Sequence, residues 1–409
     1  MNINFKILIQ DTRKLLVIGA TFGLTFALLN LVSFLFLLAF LLSLPGIRKI
    51  KFNYSHLGSS YFFFILIPIF SFFWSINIDL YLKDLEKQAV YLVPLIFFSF
   101  KEFDRKLYLN LIKVFFVGVT LCLLTTFVLS FDVMFFNEPF WVKGITREQF
   151  LVNDFYSLLH YFRTSFLFFE HHNTYFSFYL IYSTVIILQF RIINSLFLKV
   201  VILIINIVLI LALQSIIIYV ICCGWLVFYF FRNSQAYNRF FVGLCLLIIF
   251  ISAVYSGRFE AVVHQLNNLG ELKKGTLVER VQQLECSWTL IKERPLLGVG
   301  LGQVSPFMKD IAMDKGYDLL IIRNYFSIHN QYVFQAVSYG LIGLLVFFWM
   351  IASLLIYASR SRNHLLFQLI LVSLTVFMVE GFLNRSSGSI LIVLLCCIFM
   401  KINSVGNES

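Results

Sequence analysis

Apolar runs of membrane-spanning length recur along the whole chain, separated by short polar stretches. A helix that crosses a bilayer needs about 20 such residues. Roughly twelve runs approach that length: 14–29, 31–45, 58–75, 89–100, 108–131, 174–190, 197–213, 216–231, 240–256, 331–357, 364–383 and 387–402. The first two either turn tightly near Asn30 or form one long helix, and 89–100 is the weakest of the set. The polar stretches alternate in charge. Arg13 and Lys14, then Arg48, Lys49 and Lys51, then Lys101, Arg105 and Lys106, then Arg191 and Lys199, Arg232 and Arg239, Arg360 and Arg362, and finally Lys401 all fall on one side. The turns near Asn30 and Gln214 carry no Lys or Arg. Because basic residues are retained in cytoplasmic loops, the pattern places both termini in the cytoplasm. It sends two long loops outside, about 132–173 and 257–330. The expectation is an all-α polytopic membrane protein of about twelve transmembrane helices, one domain over 1–409, without internal repeats.

Composition supports this and excludes other classes. Of 409 residues, 60% are hydrophobic and 13% charged, about half the charged share of a soluble globule. Mean hydropathy is +0.88. The first apolar run is too long for a cleavable signal peptide and leads directly into more spans. The net charge of +11 comes mostly from short loops where Lys and Arg orient spans, so it is no nucleic-acid footprint. Of seven cysteines, Cys122, Cys222, Cys223, Cys245, Cys396 and Cys397 lie inside apolar runs and only Cys286 in a polar segment. They read as small buried apolar residues, not as a disulfide framework or a metal site.

The second long loop has legible structure. Thr276 and Glu279 have the spacing of a capping box. Behind them Leu277, Val281, Leu284, Trp288 and Ile291 recur three and four apart, which predicts an amphipathic helix lying apolar face down on the membrane or on the helix bundle. Pro295 and Gly298-Val299-Gly300 end it. Arg280 flanks the stripe, within reach of a phosphate at the interface.

Candidate chemistry gathers on the same side. His329-Asn330 stands at the entry to the run at 331–357. A helix start offers unpaired backbone N–H groups and positive dipole character, and histidine is a base near neutral pH. The plainer reading is that Asn330 caps the helix and His329 is an interface residue. Arg280, Arg294, Arg323 and Arg385 all map to this face, and guanidinium forks suit a diphosphate. For Arg294 and Arg323 simple solvation suffices. Glu380 lies inside an apolar run beside Arg385, and ionisable groups at membrane depth are functional by default; a structural ion pair explains the two equally well. Gly298-Val299-Gly300-Leu301-Gly302 lacks the strand and the Lys-Ser/Thr of a nucleotide loop, so turn geometry accounts for its glycines. His171-His172 has no partner ligand at metal spacing.

These residues together resemble the O-antigen ligase/O-antigen polymerase superfamily. The resemblance is carried by Arg280, Trp288 and Pro295-Leu296-Leu297-Gly298-Val299-Gly300, then His329-Asn330-Gln331-Tyr332 and Gly340-Leu341-Ile342-Gly343. His172-Asn173-Thr174-Tyr175-Phe176 is similar to the family's His-Pro-Thr-Tyr-Phe, and Glu380 with Asn384-Arg385 and Gly388 to its late acidic-basic segment. The resemblance implies an inverting, metal-independent glycosyl transfer at the outer face of the bacterial inner membrane, needing no cofactor. Its partners would be an undecaprenyl-diphosphate-linked glycan, a lipid A–core or growing-glycan acceptor, and membrane lipid. Carried over by position, His329 is the base or acceptor-orienting residue and Arg280 the diphosphate ligand. Arg385 and Arg163 are further diphosphate candidates, and Asn330, His172, Tyr175 and Glu380 are supporting. One departure stands out: the family's Ser-Arg pair is Ser215-Ile216 here. A non-enzymatic transporter and an inactive scaffold of envelope-polysaccharide assembly are the alternatives; a transporter would place charges at mid-membrane in discontinuous helices.

Overall fold

The computed structural model describes residues 5–26, 28–44, 55–98, 105–135, 173–190, 192–212, 276–317, 320–321 and 326–406, with isolated positions 221, 224 and 243. Nearly all of the expected spans at 216–231 and 240–256, most of the first long loop and the first part of the second, 257–275, lie outside these residues. Among the described residues the regular structure is helical throughout. The chain divides into two compact units, Met1–Leu37 with Lys106–Phe259, and Leu38–Arg105 with Glu260–Ser409.

The first unit holds α1 (Phe5–Thr25), the start of α2 (Leu29–Leu41), α6 (Arg105–Phe135), α7 (Asn173–Gln189) and α8 (Leu196–Ala212). The hairpin reading of the first two runs holds, with the turn at Phe26 to Leu28, where the N–H groups of both residues donate to the Gly23 carbonyl. Small residues let α1 approach its neighbours: a Cβ on Gly118 of α6 would lie 2.4 Å from Thr25 Oγ1. Between α7 and α8 a buried amide, Asn206 Nδ2, donates to Ser183 Oγ at 3.3 Å and Thr184 Oγ1 at 3.2 Å. Such interhelical bonds substitute in lipid for the absent hydrophobic drive.

The second unit holds α3 (Ser55–Phe70), α4 (Ile78–Gln88), α5 (Val93–Phe98), α9 (Thr276–Glu293), α10 (Val304–Asp314), α11 (Gln331–Arg360), α12 (His364–Phe377) and α13 (Ser386–Gly406). Among the described residues of the chain, three helices are long and apolar enough to cross a membrane: Leu57–Trp74, Arg105–Thr125 and Gln331–Arg360. The run at 89–100 is a 3₁₀ turn, Ala89–Leu92, followed by the six-residue α5. It continues α4, a polar helix that hydropathy passed over although its start is marked: Asn77 caps it by accepting from Leu80 N. The run at 364–383 loses its helix at Phe377, so Glu380 sits on an unwound segment.

The sharpest feature is a break in α11. Gly340 takes φ 64°, ψ −163° in the middle of the helix. The break takes backbone groups around it out of the helical ladder, and the loop after α9 meets them. Val299 N donates to Val337 O and Gly300 N to Ser338 O, both at 2.9 Å; Leu341 N donates to Pro295 O at 2.8 Å and Ile342 N to Leu296 O at 3.4 Å. The glycines of this loop thus have a physical reason. A Cβ on Gly298 would lie 2.4 Å from Val337 O, and one on Gly302 2.5 Å from the Leu80 carbonyl. The loop is stitched on its far side to α4, where Gln303 and Asn77 exchange bonds of 3.0 and 3.2 Å.

Asn363 performs two tasks at the α12 start. Its Oδ1 accepts from Leu366 N at 3.1 Å, and its Nδ2 donates to Phe399 O of α13 at 2.7 Å. Asn363→Ala is expected to cost about 1–3 kcal/mol for a lost cap and a buried carbonyl left unpaired, read as a lower melting temperature in detergent.

Candidate active site

Three side chains far apart in sequence meet at the entrance to α11. Asn330 holds extended backbone (φ −151°) and its Oδ1 accepts from Val333 N at 3.0 Å, so it does cap the helix. Its Nδ2 donates to Met378 O at 2.9 Å, tying the helix start to the unwound segment after α12. Immediately before it, His329 presents Nδ1 to Glu380 Oε2 at 3.0 Å. The other carboxylate oxygen, Glu380 Oε1, accepts from an Arg280 terminal nitrogen (Nη2) at 3.3 Å, and Arg280 Nη1 donates to Val379 O at 3.1 Å. Glu380 therefore bridges the basic side chains of two different segments.

Burial grades this cluster. The side chain of Glu380 is 5% exposed and that of His329 9%, whereas Arg280 is 39% exposed. A nearly buried carboxylate is tolerable when paired and hydrogen-bonded, and here it has a cation and an imidazole. An ionised carboxylate only accepts, so a bond to ionised Glu380 requires the His329 proton on Nδ1. Two of the five guanidinium N–H groups of Arg280 are used in these bonds, and the side chain keeps an open edge.

The backbone under the cluster is clamped. Gln331, fully buried, accepts from Leu383 N through Oε1 at 2.9 Å, and Tyr91 donates to Leu383 O at 3.1 Å. Gly381 lies where a Cβ would come within 2.7 Å of Ile328 O. These contacts set the path of the chain at Glu380 and so the direction of its carboxylate.

α9 runs from Thr276 to Glu293, as the capping-box spacing and Pro295 require. Val281, Leu284 and Trp288 are 36%, 46% and 59% exposed. The buried side is Val278, Gln283, Cys286, Ser287 and Leu290, where small residues let α10 come close. Cys286 and Leu290 join Val304, Met308, Ala312 and Phe334 in one core cluster. Val281, Leu284 and Trp288 of the expected stripe thus face outward, which fits the membrane-surface alternative and not the bundle, while Ile291 packs against the core cluster. Burial raises the Cys286 thiol pKa, which disfavours its thiolate. Tyr317, beside α10, donates to Glu285, and burial together with that bond pushes its pKa up to about 12. Neither group joins the cluster.

Of the sequence-derived candidates, the structure brings together Arg280, His329, Asn330 and Glu380. Arg385 stands five residues after Glu380 with its carbonyl accepting from Gly388 N and Ser389 N at the start of α13. Glu380 is joined to Arg280, 100 residues away, and to His329, 51 residues away, links that no local pattern signals. Arg294 packs over the Phe307 ring at 4.7 Å. Tyr175 belongs to the first unit, 1% exposed in α7. Arg163, His172, His171 and Arg323 lie outside the described residues.

Residues 198–348 match the O-antigen ligase family model. Over this stretch the chain is similar to O-antigen ligases. The O-antigen ligase match covers a little over a third of the chain and contains Arg280, His329 and the Gly340 break; Glu380 lies beyond its end. No curated protein matches the chain. The apolar helices are those of a membrane protein.

Proposed function

We propose that the protein is a glycan ligase or polymerase of the bacterial inner membrane. It moves a glycan from undecaprenyl diphosphate to a sugar hydroxyl of lipid A–core or of a growing chain, on the periplasmic face. The observation that carries this is the Glu380 bridge, which fixes an imidazole and a guanidinium side by side at a helix entrance. Glu380 holds the Nδ1 proton of His329, so Nε2 is the nitrogen that takes a proton. The acceptor hydroxyl oxygen attacks the anomeric carbon, the bond from that carbon to the diphosphate oxygen breaks, and undecaprenyl diphosphate departs. The hydroxyl proton passes to His329 Nε2. An in-line attack of this kind inverts the anomeric centre.

The leaving group is already good, so the protein chiefly supplies orientation and charge. Arg280, held by Glu380 and Val379 O, offers its open edge to the diphosphate. Arg385 and Arg163 are placed by sequence on the same outer face and are further diphosphate ligands in this reading; His172 and Tyr175 are supporting residues. The outward stripe of Val281, Leu284 and Trp288 suits contact with the bilayer interface, where tryptophan is enriched.

The transporter alternative gains nothing from the broken α11. A discontinuous span lines a substrate path when its released backbone groups face a cavity. Here the loop at Pro295 to Gly300 takes up the groups on both sides of Gly340.

The surface glycan of a deletion strain tests the reading. Polymer stranded on the carrier lipid indicates a ligase, short capped chains a polymerase, and an unchanged glycan would overturn both. Re-expressed Arg280→Ala is expected to restore less than one hundredth of transfer with the protein still in the membrane, and Arg280→Lys an intermediate amount, since lysine keeps the charge but cannot hold Glu380 and Val379 O together. Wild-type glycan with Arg280→Ala would remove Arg280 from the mechanism.

A further inference from the structure

A second group of polar side chains meets inside the second unit, away from the Arg280–Glu380–His329 cluster. Gln88 at the end of α4 and Gln331, Gln335 and Tyr339 of α11 converge on a cavity of about 10 Å³, walled otherwise mostly by apolar side chains such as Phe64 and Phe334. Two amide atoms there are buried without a partner: Oε1 of Gln88, an acceptor, and Nε2 of Gln331, a donor. Gln331 is fully buried, and its amide cannot turn over, because its Oε1 is the acceptor for Leu383 N at 2.9 Å. Gln88 Nε2 donates to the Tyr339 hydroxyl at 2.8 Å, and that hydroxyl keeps its own proton to donate. Turning the Gln88 amide over would only exchange an unpaired acceptor for an unpaired donor. Buried polar atoms without a partner are rare in folded proteins, and the low dielectric of an apolar surround makes each one costly.

The unpaired atoms define the guest. It must accept from Gln331, donate to Gln88 and fit a very small space. A metal cation cannot accept a hydrogen bond, and a simple anion cannot donate one. Water does both, and a cavity of about this size has room for one molecule with two to four polar partners. We propose that one ordered water sits here, accepting from Gln331 Nε2 and donating to Gln88 Oε1, and that it positions the Gln331 amide. Gln331 is then braced at both ends, by α4 through the water and by Leu383 N directly. Leu383 stands three residues after Glu380, so the water ties α4 to the unwound segment that carries the carboxylate. The site rests on the cavity and its amides, and it stands whether or not the cluster transfers glycan.

Two measurements on the full-length protein in lipid nanodiscs test this. The first is an electron cryomicroscopy map of the wild-type protein at a resolution that shows ordered waters. One peak within hydrogen-bond reach of both Gln88 Oε1 and Gln331 Nε2 is expected. No peak, or the two amides closed directly on each other, would overturn the site, and this holds even if no variant accumulates. The second is amide hydrogen exchange of the peptide that carries Leu383. Gln88→Met keeps the length of the side chain but gives the water no acceptor. Exchange at Leu383 should then be about three- to tenfold faster, the worth of one hydrogen bond, while the Leu366 amide, bonded to Asn363 Oδ1, is unchanged. Tyr339→Phe removes the Tyr339–Gln88 bond but leaves both water partners, and should exchange close to wild type. Unchanged exchange in Gln88→Met, or equal acceleration by Gln88→Met and Tyr339→Phe, would overturn the positioning role of the water.

Discussion

His329→Ala is expected to lower glycan transfer by roughly 10²–10⁴-fold, the range for loss of a positioned general base, without loss of protein from the membrane. The position tolerates the change structurally, because Asn330, not His329, caps α11 and Glu380 retains Arg280. Glu380→Gln is expected to cost less, about tenfold or more. An amide can occupy the same place, but it no longer selects the Nδ1–H tautomer of His329 or balances Arg280. Glu380→Ala releases both partners at once and should fall between Glu380→Gln and His329→Ala. Because the residues act as a unit, the His329→Ala/Glu380→Ala double variant should be hardly worse than His329→Ala alone. Independent, multiplying losses would mean that the bridge between the two side chains is irrelevant to transfer.

Gly340→Ala is expected to remove most folded protein. Its φ of 64° with ψ of −163° lies in a region open essentially only to glycine, a cost of about 1–3 kcal/mol for any other residue. The added Cβ would also stand 2.2 Å from the Leu296 carbonyl carbon and oxygen and 2.5 Å from Leu297 N. That strand of loop cannot yield, because Pro295 O and Leu296 O are bound to Leu341 N and Ile342 N. Overpacking against fixed backbone adds about 1–3 kcal/mol, and the sum approaches the whole stability of a small domain. Gly316→Ala is the control. Gly316 has nearly the same φ, 67°, with nothing within 4 Å of its Cβ site, so it carries backbone strain without the clash. Membrane-fraction abundance and melting temperature should drop sharply for Gly340→Ala and slightly for Gly316→Ala. Equal behaviour of the two would mean that the loop does not hold the α11 break.

Much of this was legible from residue spacing. Thr276, Glu279 and Pro295 bracket α9 because caps and prolines act locally. Hydropathy located α3, α6, α7, α8, α11, α12 and α13 because each is apolar over most of its length. It did not see the break at Gly340, since one glycine hardly changes the average of a long apolar run; the signal was the pairing of Gly340 with the equally unusual Gly298, 42 positions earlier. It overran α12 for the same reason, carrying helix through Glu380. The polar α4 was hidden between spans although Asn77, Asp79 and Lys87 mark its ends. At the site, His329 and Arg280 were visible as residue types at a loop edge. That Glu380 joins them, and not simply the neighbouring Arg385, depends on how the unwound segment is clamped by Gln331 and Tyr91. The stripe on α9 was legible, but periodicity left open whether it meets the membrane surface or the bundle. Cys286 and Ser287 decided that by being small.

The most direct measurement is transfer by purified protein in liposomes that contain an undecaprenyl-diphosphate-linked glycan and a lipid A–core or glycan acceptor. The account predicts glycosylated acceptor with the wild-type protein and at most about one hundredth as much with the same quantity of His329→Ala. Equal product from the two proteins would contradict it.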